Sequence, residues 1–384
     1  MAVIPFHKVD ISEQELEAVT QVIRSGWLTS GPVANEFEQS FAKMVNASHA
    51  VALNSCTAAL HLALEAVGVR QGDEVIVPTM TFAATAEAVL HVQALPVIVD
   101  IDPSDHNISL AAVEQAITPR TRAIIPVDFG GQPADIPGLL ELAHSQSIYV
   151  IEDAAHAFPA KIQGQSIGSL SDITCFSFYA TKTITCSEGG MATTKNREWA
   201  DRIRRKSLHG ISRHPYDRSL GERKWFYDVV EQGWKYNLSD MAAALGLAQL
   251  QRVHTMWQRR FEIAVQYTAW LKELDEIELL TIYPSRETSW HLYVIKLISE
   301  RLTINRDRFI QELEKRGVNS SVHFIPLHLH SYFRSSCHHT IGDMPNALDA
   351  FERSISLPIY SSMTDEEINR VGEAVRNICK KHRR

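Results

Sequence analysis

The chain lacks several things that would narrow its class. No stretch of about 18 consecutive apolar residues occurs in its 384 residues, so neither a membrane span nor a membrane partner is expected. There is no basic excess. Lys and Arg number 38 against 45 Asp and Glu, giving a net charge of -7, so nucleic acid is not an expected partner. Cysteine is scarce and odd in number: Cys56, Cys175, Cys186, Cys337 and Cys379 are scattered along the chain. That argues against a disulfide framework and for a reducing, cytoplasmic setting. The first residues, "MAVIPFHKVDISEQELEAV", lack a basic region followed by an apolar run, so no secretory signal is expected there. Internal repeats and low-complexity segments are missing too. The charged residues, 22% of the total, are well mixed, which argues against disorder.

What is present is alternation. Hydrophobic residues make up 45% of the chain, enough for a large core and a smaller second one. "SEQELEAVTQVIRSG" carries a capping box, Ser12 with Glu15, and ends at Gly26, which predicts a helix. "HAVALNS", "DEVIVPTMTF", "LPVIVDID", "TRAIIPVDF", "IYVIEDAA", "DITCFSF" and "GGMATT" are short apolar runs separated mostly by helical stretches. Strands that are apolar on both faces and joined by crossovers predict an α/β fold with a mostly parallel sheet covered by helices. Residues 196–209 and 239–275 read as helical, and 210–236 as a long functional loop. A second alternation begins near residue 280. "SWHLYVIKL" and "VNSSVHF" read as strands flanking the helix "NRDRFIQELEKRG", and a last helix starts at the capping box Thr364 with Glu367. The division expected is a large α/β domain over 1–275 and a small α+β domain over 276–384.

In open α/β sheets, chemistry gathers outside the carboxyl ends of the strands. There the chain places Asn54, Ser55, Cys56 and Thr57, then Phe82, then Asp153 and His156, then Ser177 and Lys182. One cofactor, pyridoxal phosphate (PLP), matches that set. It needs a lysine to form a Schiff base with its aldehyde. A carboxylate must keep its pyridine nitrogen protonated, so that the ring can act as an electron sink. Its phosphate favours a helix N-terminus and hydroxyls, and its ring needs an aromatic or apolar face. Lys182, Asp153, the "NSCT" helix start with Ser177, and Phe82 fit those needs in turn. Each has a bland alternative: a surface lysine, a helix-capping aspartate, a core phenylalanine, a core histidine at 156. The order of the set along the strand ends is the signal.

The blocks "SGWLTSGPVANEFEQSFA", "NSCTAALHLAL", "GDEVIVPTMTFAATAEAV", "PVIVDID", "IEDAAHA", "FSFYATKTITCSEGGM", "KYNLSDMAAALGLAQL" and "SVHFIPLHLHSYFR" resemble, in order and nearly end to end, the DegT/StrS family of PLP-dependent nucleotide-sugar aminotransferases, a branch of fold type I. The resemblance implies a seven-stranded, mostly parallel sheet in the large domain. Lys182 matches the lysine that bonds the cofactor, Asp153 the acid on the ring nitrogen, and His156 the position beside the ring hydroxyl. Phe82 matches the stacking aromatic. Cys56, Thr57 and Ser177 match phosphate contacts, although the family more often carries Gly or Ala at position 56. Asn237 matches an asparagine reaching the partner subunit's phosphate, which implies a homodimer with shared active sites. "TITCSEGGM" and "KYNLSDMAAALGLAQL" are most similar to enzymes that aminate carbon 4 of a nucleotide-linked 4-keto sugar, with L-glutamate as donor. Such enzymes serve cell-surface polysaccharide, lipopolysaccharide or glycan synthesis, often on UDP-sugars.

The alternatives on the same fold are a carbon-3 aminotransferase, a non-catalytic regulator, and a dehydratase. The dehydratase relatives replace the lysine with histidine, so Lys182 sets that reading aside. Trp27 and Thr29, in a bent loop at Gly26, Gly31 and Pro32, are candidate substrate contacts, as are His323 and His328. His323, His328, His330, Cys337, His338 and His339 are zinc-ligand types, but their spacing fits no standard finger, and no metal is expected. Arg213, Arg218, Arg223 and Lys224 form a local basic loop that would suit a diphosphate.

Overall fold

The structure, a computed structural model, describes residues 2–212, 225–337 and 340–384. Arg213, Arg218, Arg223 and Lys224 of the basic loop, and His338 and His339, lie outside the described residues.

Two helices lead in. α1 (Glu13–Ser25) has the expected capping box at Ser12 and Glu15 and ends on Gly26 in the left-handed region, with φ 75°. α2 (Pro32–Val45) was not foreseen as a helix. Its cap is not local: the Asp240 carboxylate, more than 200 residues away, accepts from the N–H groups of Gly31 at 2.7 Å and Ala34 at 3.0 Å. α2 buries Phe37 and Phe41 against Phe158, Phe176 and Phe178.

The large sheet follows as β1 (His49–Leu53), α3 (Cys56–Ala66), β2 (Glu74–Pro78), α4 (Ala83–His91), β3 (Leu95–Val99), α5 (Leu110–Ala116), β4 (Thr121–Ile124), α6 (Ile136–His144) and β5 (Tyr149–Asp153). A small antiparallel pair, β6 (Lys161–Ile162) and β7 (Gln165–Ser166), precedes β8 (Ile173–Ser177) and β9 (Gly190–Thr194). The seven strands lie in the order β1-β9-β8-β5-β4-β2-β3, all parallel except β9, which runs against both its neighbours. Strands such as Val75–Val77 and Val150–Ile151 are buried on both faces, as crossover-connected parallel strands must be. Reversal of β9 matters for the site. It brings Gly190 opposite both Leu53 and Ser177, at the edge where Asp153 pairs with Cys175. A Cβ at Gly190 would sit 2.4 Å from the Ser55 carbonyl carbon, so only glycine lets β9 pass the start of α3.

Next come α7 (Arg197–Lys206) and the long α8 (Asp240–Leu271), which packs on α1 and α2. The C-terminal part holds β10 (Ile277–Leu279), β11 (Arg286–Glu287), β12 (Tyr293–Leu297), α9 (Arg306–Glu314), α10 (Ser331–Ser336), α11 (Pro345–Arg353), β13 (Ser354–Leu357) and α12 (Asp365–His382). Its antiparallel sheet is β10-β12-β13. "VNSSVHF" is not a strand of it. Residues 318–324 make only single bridges, Ile4 with Val318 and Ser321 with Ser356, and the third strand is the fully buried "SISL" of β13. Asn319, Ser320 and Ser321 offer no apolar alternation for a sheet to bury, whereas β13 does. The core of this part also takes in Ile4 and the end of α8, from Ile263 to Leu271.

Candidate active site

The carboxyl ends of β1, β2, β5 and β8 open on one cavity of about 350 Å³. Cys56, Thr57, Phe82, Asp153, His156, Ser177 and Lys182 all line it. Each arrives from its own strand-to-helix junction. Ser55 caps α3 by accepting from the Ala58 N–H at 3.1 Å, so the first turn, with Cys56 and Thr57, faces the cavity. Phe82 is the N-cap residue of α4, and its ring is largely exposed. Asp153 ends β5, and Ser177 ends β8. Lys182 sits in a turn closed by its own N–H donating to the Tyr179 carbonyl at 2.9 Å.

Burial governs the charges. The Lys182 ammonium loses hydration, and its pKa falls from 10.5 to about 8, although Cys56 and Asp153 favour its charged form. Burial pushes the Asp153 carboxyl up, against donors that hold its anion. Thr85 Oγ1 donates to Asp153 Oδ2 at 2.8 Å, and the Ala155 N–H donates to Oδ1 at 3.2 Å. Burial and the Lys182 charge hold the imidazoles of His156 and His291 well below their usual range, and take His323 to about 4. The three rings are therefore neutral near pH 7. The Gly130 N–H donates to His156 Nδ1 at 3.3 Å, so the hydrogen of that neutral ring sits on Nε2. Lys182 is then the sole cationic side chain among the described residues lining the cavity, facing Asp153 and Glu188.

Behind the sheet lies a second acidic pair. Burial pushes Asp128 up, with the neighbouring Glu152 charge adding to it, and takes Glu152 to about 7. Ser171 and Thr174 donate to Oε2 of Glu152.

Not every candidate residue reaches the cavity. Asn237 lies outside its lining, donating to Ser30 Oγ at 2.6 Å and accepting from the Lys235 ammonium. Trp27 and Thr29 are also outside it. Trp27 Nε1 donates to the Ser30 carbonyl at 3.2 Å, and the Thr29 carbonyl accepts from Asp240. His323 lines the cavity and bonds Ser356 Oγ at 2.9 Å. His328 does not. It is fully buried, with Nδ1 2.8 Å from Thr79 Oγ1, so a residue read as a substrate contact is a core residue tying its loop to the end of β2. No metal-holding cluster of His, Cys, Asp and Glu occurs among the described residues.

The structure adds residues that the sequence did not flag. Thr85 lies one helical turn after Phe82, a spacing that could have drawn attention to it. His291 and Phe324 come from the C-terminal part. The His291 ring lies 4.3 Å from that of His156, and Phe324 stacks on His156 at 5.8 Å. No local pattern marks either one.

Residues 9–376 match the model of the DegT/DnrJ/EryC1/StrS aminotransferase family. The spore coat polysaccharide biosynthesis protein SpsC of Bacillus subtilis is 43% identical over 98% of this chain and 97% of its own. The Streptococcus pneumoniae protein Spr1654 in its PMP-form superposes with a TM-score of 0.93 at 35% identity, covering 98% of this chain and 99% of that one. Its PLP-form gives 0.92. The sugar aminotransferase CalS13 of Micromonospora echinospora gives 0.88 at 29% identity, over 97% and 99% of the two chains.

Proposed function

The chain belongs to the DegT/DnrJ/EryC1/StrS aminotransferase family, and on that premise we propose what each side chain does and which substrate it serves. It is a PLP-dependent sugar aminotransferase. The cavity suits that cofactor. A buried carboxylate faces it with no arginine among the described residues of the lining, a lysine of lowered pKa opens on it, and the first turn of α3 presents backbone N–H groups to an anion. When bound, PLP supplies an aldehyde that exchanges amines and a protonated ring that takes up charge from a deprotonated carbon.

The chain's own residues do the rest. Lys182 holds the cofactor covalently when no substrate amine is present. With its Nζ free, Lys182 would take a proton from the donor's α-carbon, which a pKa of about 8 makes feasible near neutral pH. Asp153, braced by Thr85 and Ala155, keeps the ring nitrogen protonated. His156 Nε2 would donate to the ring hydroxyl, and Phe82 would cover the ring. Cys56 and Thr57, through their N–H groups, and Ser177, through its hydroxyl, take the phosphate. Asn237, outside its own cavity and near the surface, serves the phosphate of a second copy in a homodimer.

The substrates we assign are L-glutamate and a nucleotide-diphosphate keto sugar, aminated at carbon 4, in a cytoplasmic pathway to a surface polysaccharide. SpsC, a spore coat polysaccharide protein, and the "TITCSEGGM" and "KYNLSDM" blocks support this reading. His323 in the cavity wall, and Trp27 and Thr29 from the outer loop, are the residues we assign to the sugar nucleotide. The two-domain division near residue 275 belongs to the same proposal, with the cavity between the parts.

The observation that carries the assignment is the convergence of Lys182 and Asp153 on a single cavity with the start of α3. A panel of 4-keto and 3-keto nucleotide sugars, each incubated with glutamate and read by product mass, tests it. Amination of the 4-keto members alone is expected. Selective amination of the 3-keto members overturns the carbon-4 assignment.

A further inference from the structure

The segment before α1 crosses from the C-terminal part to the turn that carries Lys182. Ile4 is fully buried and bonded on both sides: its N–H donates to the Gly317 carbonyl at 2.8 Å, and its carbonyl accepts from the Asn319 N–H at 3.0 Å. Phe6 stacks on His323, with centroids 5.4 Å apart, behind the wall that His323 forms. His7 Nε2 lies 3.1 Å from the Ala180 carbonyl, two residues before Lys182. A carbonyl only accepts, so Nε2 carries the hydrogen. Three residues on, the Asp10 carbonyl accepts from Gln249 Nε2 at 2.8 Å, and Gln249 Oε1 accepts from the Thr185 N–H at 2.8 Å, three residues after Lys182. Asp10 is itself fixed at both carboxylate oxygens, by Arg252 at 2.9 Å and Ser361 Oγ at 2.8 Å.

One short segment thus grips the Lys182 turn on both sides and braces the opposite wall of the cavity. We propose that residues 4–10 are a strap that positions Lys182, with His7 as the positioning residue that couples the C-terminal part to the lysine turn.

The proposal rests on the role assigned to Lys182. Its chemistry is consistent throughout. A proton-transferring amine must be held within a fraction of an ångström of its target, which anchoring from neighbouring elements favours. The turn is closed by the Lys182-to-Tyr179 and Cys186-to-Phe178 backbone bonds and by the Thr185 hydroxyl donating to the Phe178 carbonyl at 3.0 Å, and His7 and Gln249 anchor it from outside on either side of Lys182. The donor at residue 7 must also be uncharged. A cation there would oppose the ammonium of Lys182. Burial, then the Arg260 charge, holds His7 neutral, with a pKa of about 4.

The test is hydrogen exchange over residues 178–186 in the PLP-loaded enzyme, with steady-state kinetics in parallel, for His7→Ala, His7→Leu and His7→Gln. Leucine keeps the bulk without the N–H, and serves if the alanine variant does not fold. Glutamine places an amide N–H at similar reach. The expected result is exchange at least about tenfold faster in 178–186 for the alanine and leucine variants, with β4 and β5 unchanged. Their kcat should fall about tenfold at nearly unchanged KM, and glutamine should restore both to within about threefold. Unchanged exchange in 178–186, or a glutamine variant no better than leucine, overturns the strap. Exchange reports the strap even if Lys182 proves not to be the cofactor lysine, so the two failures are separable.

Discussion

The two walls of the cavity are built in different ways. One wall, with Cys56, Phe82, Asp153 and Lys182, follows the ends of four strands, β1, β2, β5 and β8, of a single sheet. Asp153 and Ser177 are set by strand register, while Lys182 lies in a turn after β8 that the strap also holds. The other wall, with His291, His323 and Phe324, comes from the C-terminal part, and is held by side-chain stacking and by the strap at residues 4–10. The chemistry we assign thus sits on the wall that the sheet supports. The sugar contact we assign, His323, lies on the wall that loops hold.

Substitutions should therefore have unequal effects on the two walls. Lys182→Ala should reduce amine transfer by at least about 10⁴-fold and remove the visible absorbance of the PLP-loaded protein. Turnover near the wild-type rate would break the contrast outright. Next, Asp153→Asn should lower kcat by about 10³-fold with circular dichroism unchanged. Thr85→Val removes the donor to Asp153 Oδ2, and should cost about 1–3 kcal/mol of stability and part of the rate, both largely recovered in Thr85→Ser. Thermal denaturation and kinetics read the two effects. His323→Ala, on the looser wall, should mainly raise KM for the sugar nucleotide, by about tenfold, at similar kcat.

The pH dependence sharpens the contrast. Once released, Lys182 acts as a base only when neutral, so kcat should fall about tenfold per pH unit below its pKa of about 8 and level off above it. Glu152 works in the other direction, on stability. Its pKa in the folded protein is raised from 4.5 to about 7, so the folded state binds its proton more tightly than the unfolded chain does. Stability from this group is complete below about pH 4.5 and is lost as pH rises through about 7. In Glu152→Gln that part of the decline in Tm should vanish, while an unaltered Tm profile would contradict the raised pKa of Glu152.

The first wall was legible in the sequence because a parallel sheet converts chain order into spatial order. Residues 56, 57, 82, 153, 156, 177 and 182 each follow an apolar run, and each lines the cavity. The sheet, its seven strands and its mostly parallel sense were legible for the same reason. The second wall was not. His291 and Phe324 reach the site through contacts spanning more than a hundred residues, and no periodicity encodes them. His328 reads like His323 in the run "VHFIPLHLH", yet it turns into the core to bond Thr79. Likewise α2 hid behind Gly31 and Pro32, because the carboxylate that caps it is Asp240. His7 carried no signal at all, since its partner is the carbonyl of Ala180.

Borohydride reduction of the PLP-loaded protein, followed by peptide mapping, tests the central claim most directly, because reduction fixes the cofactor to whichever lysine holds it. The account predicts a single labelled peptide spanning residues 178–191, with the label on Lys182 and none in Lys182→Ala. Label on any other lysine, or an unlabelled 182 in protein that has bound PLP, would contradict it.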